Sequence, residues 1–269
     1  MEIKKAIIPA AGYGTRSLPI TKVLPKEMFP VGEKPAIHYV VEEAVASGIK
    51  EILIVVSRNK NMIIDYFDRS LEIEMFLMES NKQNLISKLS LPDVHIQFIR
   101  QPYANGLGDA IALGESFLKD GPFAVLLPDD VFITKRPCLL QLIEAYNEHK
   151  SNVIAVKKVK KKLLKKYGVI EGDLQPDQLI DITNIVEKPQ GVSPSKFAVV
   201  GRYILTPSIF GALRETEHGS GGEIQLTDAI KRMLRNEKCF GKIINGERYD
   251  IGSSTDYLKL LKKMPKIDS

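Results

Sequence analysis

Through residues 4–156, short apolar runs alternate with helix-forming stretches, and that alternation restricts the chain to few folds. The apolar runs lie at 4–10, 51–56, 94–99, 122–127 and 153–156, each of strand length. Residues 35–48 read as a helix, with proline at its start and glycine at its end. Ala36, Ile37, Val40, Val41, Ala44 and Val45 give that helix an apolar face. Residues 59–89 read as two or three helical segments, and 106–118 and 137–149 as one helix each. Strands alternating with helices predict an α/β fold, a mixed but mainly parallel sheet with helices on both faces. Ligands of such sheets sit outside the carboxyl ends of the strands.

After residue 157 the spacing shortens. Strands are expected at 167–170, 182–186, 197–204 and 242–244, and helices at 209–213, 224–235 and 255–263. No repeat, low-complexity segment or Pro/Gly/Ser linker interrupts the chain, so one domain over 1–269 is expected, with halves at about 1–157 and 158–269. Such a length can bury one large core with a small lobe. Lys and Arg exceed Asp and Glu by 38 to 33, a net charge of +5. This excess suits small anions and does not argue for nucleic acid. No apolar run reaches the roughly 18–20 residues that span a bilayer, so no membrane insertion is expected. The N-terminus runs straight into a strand, without a signal peptide. Cys138 and Cys239 lack metal spacing and read as reduced thiols, which points to the cytoplasm.

The first strand ends in Ala10-Ala11-Gly12-Tyr13-Gly14-Thr15-Arg16. Small residues at Ala10, Ala11, Gly12 and Gly14 let backbone N–H groups approach a ligand closely. Arg16, Lys22 and Lys26 add cations on the same side, so the stretch reads as a polyphosphate cradle. It is neither of two common phosphate loops. The dinucleotide fingerprint needs a third glycine where Ser17 stands, and the P-loop's Gly-Lys-Ser/Thr is absent. Pro19, Pro25 and Pro30 also prevent a regular helix from following directly.

Four further stretches offer chemistry, each with a plainer alternative. Gln101 follows a strand, and its amide can pair with the imide edge of uracil or thymine; it can equally be an ordinary loop glutamine. Asp129 and Asp130 close an apolar strand and suit Mg²⁺, or form a solvated acidic turn. Glu187 can accept from sugar hydroxyls and Lys188 can hold a phosphate, or the two form a surface ion pair. Asp228 opens a helix in either a functional or a structural role. The lysines between 157 and 166 read as a solvated helical face, with an anionic partner or a phosphate-rich substrate as the alternative. His38, His95, His149 and His218 show no ligand spacing.

The longer motifs carry a resemblance. Ile8-Pro9-Ala10-Ala11-Gly12-x-Gly14-Thr15-Arg16 and Pro25-Lys26-Glu27-Met28 resemble the bacterial UTP–glucose-1-phosphate uridylyltransferases, of the sugar-nucleotidyltransferase superfamily. Gly106-Leu107-Gly108, Leu127-Pro128-Asp129, Tyr167-Gly168, Glu187-Lys188-Pro189, the stretch from Glu223 to Asp228 and Tyr249-Asp250-Ile251-Gly252 follow in the same order. The resemblance therefore covers nearly the whole chain. It implies a Rossmann-like nucleotide-diphospho-sugar transferase fold, with a nucleotide-binding first half and a sugar-binding second half. It implies that Ala10, Ala11, Gly12, Gly14, Thr15, Gln101, Gly106 and Asp129 bind nucleotide, and Gly168, Glu187 and Lys188 the sugar phosphate. Arg16, Lys26 and Lys188 become the catalytic cations. Asp129 and Asp250 become the Mg²⁺ ligands, with Asp130 as the alternative to Asp129. UTP and glucose 1-phosphate are the implied substrates, UDP-glucose and pyrophosphate the products, and a homodimer or homotetramer the assembly. Use of dTTP or another hexose phosphate remains open, as does a nucleotide-sugar sensor without turnover. The intact Arg16, Lys26, Asp129 and Asp250 speak against the sensor. One departure stands out: Ser253-Ser254-Thr255-Asp256-Tyr257 replaces the family's usual lysine and glycine before the tyrosine.

Overall fold

The computed structural model describes residues 2–264. The first apolar run forms β1 (Lys5–Pro9). Beyond it the proline-rich stretch makes only short 3-10 turns at Thr15–Ser17, Ile20–Lys22 and Lys26–Met28. A small ribbon of β2 (Pro30–Val31) and β3 (Lys34–Pro35) leads into α1 (Ala36–Ala46). Then come β4 (Glu51–Val56), α2 (Asn61–Phe67), α3 (Leu71–Glu79) and β5 (His95–Arg100). They are followed by α4 (Leu107–Ala112), α5 (Glu115–Leu118), β6 (Phe123–Leu126), β7 (Asp130–Ile133) and α6 (Cys138–His149). The second half contains β8 (Asn152–Lys158), β9 (Gly168–Gln175), β10 (Leu179–Glu187) and β11 (Phe197–Leu205). It closes with α7 (Ser208–Arg214), α8 (Leu226–Met233), β12 (Cys239–Ile243), β13 (Glu247–Asp250) and α9 (Ser254–Lys263).

Nine strands form one sheet in the order β5-β4-β1-β6-β11-β8-β12-β10-β9. β5, β4, β1 and β6 are parallel, as the alternating pattern predicts. Beyond β6 only β8 and β12 pair in parallel. β11 runs antiparallel to β6 and β8, and β10 antiparallel to β12 and β9. Of these antiparallel pairs only β9–β10 is joined by a short connection; the others bring together segments distant in sequence. β9 also meets β11 through Val169 and Ala198, so the far edge of the sheet curls back toward its middle.

Alternation along β1 builds both cores. Ile8 packs with Ile37, Val41, Leu139 and Leu142 of α1 and α6. Ile7, on the other face, packs with Ile111, Ile209, Leu213 and Leu226 of α4, α7 and α8. Both faces are thus covered, as a parallel half-sheet requires.

Three local expectations change. The helix expected over 106–118 breaks at Gly114, where a Cβ would lie 2.8 Å from Ile7 Cδ1. Glycine weakens the helix locally, and its missing Cβ leaves room for Ile7 across the core. The lysine stretch is not one solvated helical face: Lys157 and Lys158 end β8, and Lys161–Lys166 form a 3-10 turn around buried Leu164. β7 and β13 form a separate two-stranded ribbon, capped by α9 through Val131, Tyr249, Ile251 and Leu260. Cys138 and Cys239 are free and buried, and burial pushes the Cys239 thiol up to about 12. Among the described residues no helix is long and apolar enough to cross a membrane.

Candidate active site

A cleft of about 700 Å³ runs from the glycine loop to β9, β10 and β11. At one end the chain enters the cleft through Gly14, whose φ of 66° lies in the left-handed region that favours glycine. Thr21 Oγ1 donates to the Gly14 carbonyl at 2.9 Å and fixes this turn. Arg16 then reaches Asp250, with Nη1 donating to Oδ2 at 2.9 Å. Its Nη2 lies 3.6 Å from Asp129 Oδ2. Lys26 Nζ donates to the same Asp129 oxygen at 2.6 Å. The turn bearing Lys26 is pinned from behind by a buried pair, Lys60 Nζ donating to Glu27 Oε2 at 2.8 Å. Removing one partner of such a pair typically costs about 3–5 kcal/mol. Lys22, expected on the same side, is exposed and does not line the cleft.

Asp129 and Asp130 are neighbours in sequence but differ in environment. Burial disfavours a charged Asp129, but Lys26, Arg16 and Arg248 outweigh it and hold the carboxyl down at about 2. Burial instead dominates at Asp130 and, against Arg248, pushes it up to about 6. Asp130 Oδ1 accepts from Arg248 Nε at 2.7 Å, and its carbonyl from Arg202 Nη2 at 2.8 Å. Asp130 is therefore engaged with arginine, and Asp129 faces the cations of the glycine loop.

Asp250 reaches this end by a route the sequence reading did not anticipate. It is not at the end of a strand in the main sheet. In the β7–β13 ribbon Asp250 pairs with Asp130, and Ile251 N donates to the Asp129 carbonyl at 2.9 Å. Gly252 N donates to Asp250 Oδ1 at 2.9 Å and orients the carboxylate. Asp129 and Asp250 thus share Arg16 as a common cationic partner. Two carboxylates that already share a cation form a donor set suited to Mg²⁺, which takes few protein oxygens and completes its shell with water and phosphate. Among the described residues no group of three or more His, Cys, Asp or Glu side chains is placed to hold a metal, so phosphate would have to contribute.

At the other end, three distant segments meet. Thr227 Oγ1 donates to Glu187 Oε2 at 2.8 Å, and Lys188 Nζ lies 3.3 Å from Glu187 Oε1. A Cβ at Gly168 would stand 3.2 Å from both Glu187 Oε2 and Thr227 Oγ1, so the glycine keeps this corner open. Lys188 N donates to the Tyr167 carbonyl at 3.0 Å, which joins the Glu-Lys-Pro turn to the strand bearing Gly168.

Ala10, Ala11, Gly12, Gln101 and Gly106 do not line this cleft; Leu107 and Thr15 do. Those five cluster instead at the ends of β1 and β5, where Ala10 N and Gln101 N donate to Val55 and Val56 of β4. Gln101 Nε2 donates to Asp109 Oδ2 at 2.6 Å and to the Gly106 carbonyl at 3.3 Å. Its amide hydrogens are committed, so the carbonyl oxygen is what Gln101 has left for a ligand. This corrects the expectation of a donor and an acceptor together. A Cβ at Gly12 would meet no protein atom within 4 Å, whereas one at Gly106 (φ 111°) would lie 2.6 Å from the Ile224 carbonyl. Gly106 and Gly108 let the β5–α4 loop dock against the segment before α8, with Gly108 N donating to the Ile224 carbonyl at 2.8 Å. Asp228 lies outside the cleft, in a groove with Lys231 and Arg235.

Sequence reasoning missed Arg248, gave Tyr167 no role of its own, and favoured a solvated face over a ligand role for Lys165 and Lys166; all four line the cleft. Arg248 was findable: it stands two residues before Asp250 on the same strand, so the two share a face.

A cationic loop beside a carboxylate pair, facing a hydroxyl-accepting glutamate across one cleft, defines a transferase of phosphorylated substrates. The chain matches the nucleotidyl transferase family over residues 5–266 and belongs to that family. It is 55% identical over 267 residues to a Bacillus subtilis (strain 168) protein that carries the provisional name UTP–glucose-1-phosphate uridylyltransferase, covering 99% of this chain and 98% of that one. It is 46% identical over 265 residues to the UTP–glucose-1-phosphate uridylyltransferase of Mycoplasma genitalium (strain ATCC 33530), covering 96% and 90%. A crystal structure of a UDP-glucose pyrophosphorylase complexed with UDP-glucose superimposes with a TM-score of 0.88 at 41% identity, covering 98% and 99%.

Proposed function

We infer that this chain is a UTP–glucose-1-phosphate uridylyltransferase, forming UDP-glucose and pyrophosphate from UTP and glucose 1-phosphate. The observation that carries this is the two-ended cleft, with Arg16 and Lys26 against Asp129 and Asp250 at one end and Gly168, Glu187 and Lys188 at the other. The relatives' names supply the substrates.

A phosphate oxygen of glucose 1-phosphate attacks the α-phosphorus of UTP in line, and pyrophosphate departs on the opposite side. The sugar phosphate is already ionised, so no strong general base is required. Catalysis rests on positioning and on charge placed before the reaction starts. Arg16 holds the leaving β- and γ-phosphates, and Lys26 the reacting phosphates. Lys188 steadies the sugar phosphate while Glu187 accepts from sugar hydroxyls. Gln101, through its carbonyl oxygen, accepts from the N3–H of uracil, and backbone groups at Ala11, Gly12 and Gly106 complete the base pocket. Asp129 and Asp250 would hold Mg²⁺, which when bound withdraws charge from the α-phosphate. The same reading makes the enzyme a cytoplasmic homodimer or homotetramer. Its two buried free thiols suit a reducing compartment.

Pyrophosphate release, measured with each nucleoside triphosphate against glucose 1-phosphate and its isomers, tests this reading. UTP with glucose 1-phosphate should be the fastest pair. Equal rates with UTP and ATP would rule out base selection by Gln101, and equal rates with dTTP would remove the preference for UTP.

A further inference from the structure

The cations of the cleft fall into two groups. Arg16 and Lys26 are each in contact with a carboxylate, and Lys188 lies against Glu187. Lys165 and Lys166 also line the cleft, yet among the described residues neither has an ion-pair partner. Both are exposed.

Their backbone is nevertheless anchored on both sides. Leu164, immediately before them, is buried against Val169 and Ala198. Tyr167, immediately after them, accepts from Arg248 Nη1 at its hydroxyl at 2.9 Å, and its ring lies 4.8 Å from the Arg248 guanidinium. Arg248 in turn is tied to Asp130 in the ribbon. The two lysines therefore stand on a short turn held between two fixed points, directly ahead of Gly168. Lys188 is joined to the same turn through its bond to the Tyr167 carbonyl. Unpaired cations exposed at a cleft raise the local concentration of an anion and speed its entry. Lys165, Lys166 and Lys188 line the same cleft, so a dianion bound near one is within the field of the others.

We propose that Lys165 and Lys166 form a capture site for the phosphate dianion of the incoming sugar 1-phosphate, which they pass to Lys188. This rests on the assigned reaction and adds two residues to its sugar end. They act on entry and binding and not on the chemical step.

The test compares the double variant Lys165→Ala/Lys166→Ala with Lys161→Ala/Lys162→Ala. The second pair lies on the same turn but does not line the cleft. At low ionic strength the first variant should raise KM for glucose 1-phosphate by about tenfold. Its kcat and its KM for UTP should stay within about twofold, and the salt dependence of kcat/KM for the sugar phosphate should flatten. The second variant should change KM for glucose 1-phosphate by less than about twofold. Equal effects from both variants would replace the site with the general field of a basic segment, and overturn the proposal. A change confined to UTP, or to pyrophosphate in the reverse direction, would overturn it by moving the lysines to the polyphosphate. Calorimetric titration of glucose 1-phosphate keeps the two readings apart. Absent UTP turnover in the unmodified enzyme counts against the assigned reaction, whereas an unchanged Kd in the Lys165/Lys166 variant counts against the capture site.

Discussion

The two ends of the cleft handle charge in opposite ways. At the polyphosphate end Arg16 and Lys26 are held in place by Asp129 and Asp250 before any ligand arrives. At the end proposed to hold the sugar phosphate, Lys165 and Lys166 have no such partner among the described residues, whereas Lys188 sits beside Glu187. Charges held beside the reacting phosphates act on the chemical step, and here Arg16 and Lys26 exchange their carboxylate partners for phosphate when the ligands bind. Exposed, unpaired charges act on encounter and are screened by salt. Rate is thus expected to depend on the first group and substrate affinity on the second.

The largest break in that contrast should come from the carboxylates. Asp129→Asn or Asp250→Asn should each lower kcat by about 10³ while circular dichroism reports an intact fold. The double variant should lose little more than either single one, because both residues serve one centre. Losses that multiply would show that the two carboxylates act separately. Arg16→Ala should cost about 10² in pyrophosphate release, since it removes a contact to the leaving group. A rate within about threefold of the unmodified enzyme would remove Arg16 from the mechanism and leave the polyphosphate end to Lys26. The smallest effect is expected at the base. Gln101→Glu replaces the donor to Asp109 with a second carboxylate, and should raise KM for UTP about tenfold without touching KM for glucose 1-phosphate. A rise in both constants would point to a collapsed loop and not to base recognition.

The parallel half-sheet was legible because β1, β4 and β6 are continuous apolar runs and β5, at its edge, alternates apolar and polar residues. The ribbon was not, because Glu247-Arg248-Tyr249-Asp250 is largely polar and its partner β7 lies more than a hundred residues earlier. The break at Gly114 escaped because a lone glycine inside a helical pattern is often tolerated, and its close approach to Ile7 across the core has no local signal. In the site, motifs found Arg16, Lys26, Asp129, Glu187 and Asp250, and the fold brings each to the cleft. The hydrogen bonds that bind Gln101 could not be read, because Asp109 looks like an ordinary acid in the first turn of a helix. Lys165 and Lys166 were hidden in a run of like residues; only buried Leu164 and anchored Tyr167 separate them from their neighbours.

The ribbon also sets the order in which this centre can come into being. β7 has β13 as its strand partner, and Asp250 is the last residue of β13. A chain leaving the ribosome exposes the glycine loop and Asp129 first, and Asp250 only after β8 to β12 have been made. Domains tend to fold as units during synthesis, and pairings between distant segments form slowly. The end proposed to hold polyphosphate is therefore completed only once β13 has been made, and a nascent chain stopped before β13 has the loop without the second carboxylate. On the proposed mechanism, catalytic competence in this fold waits until the later ribbon strand finds a partner made long before it.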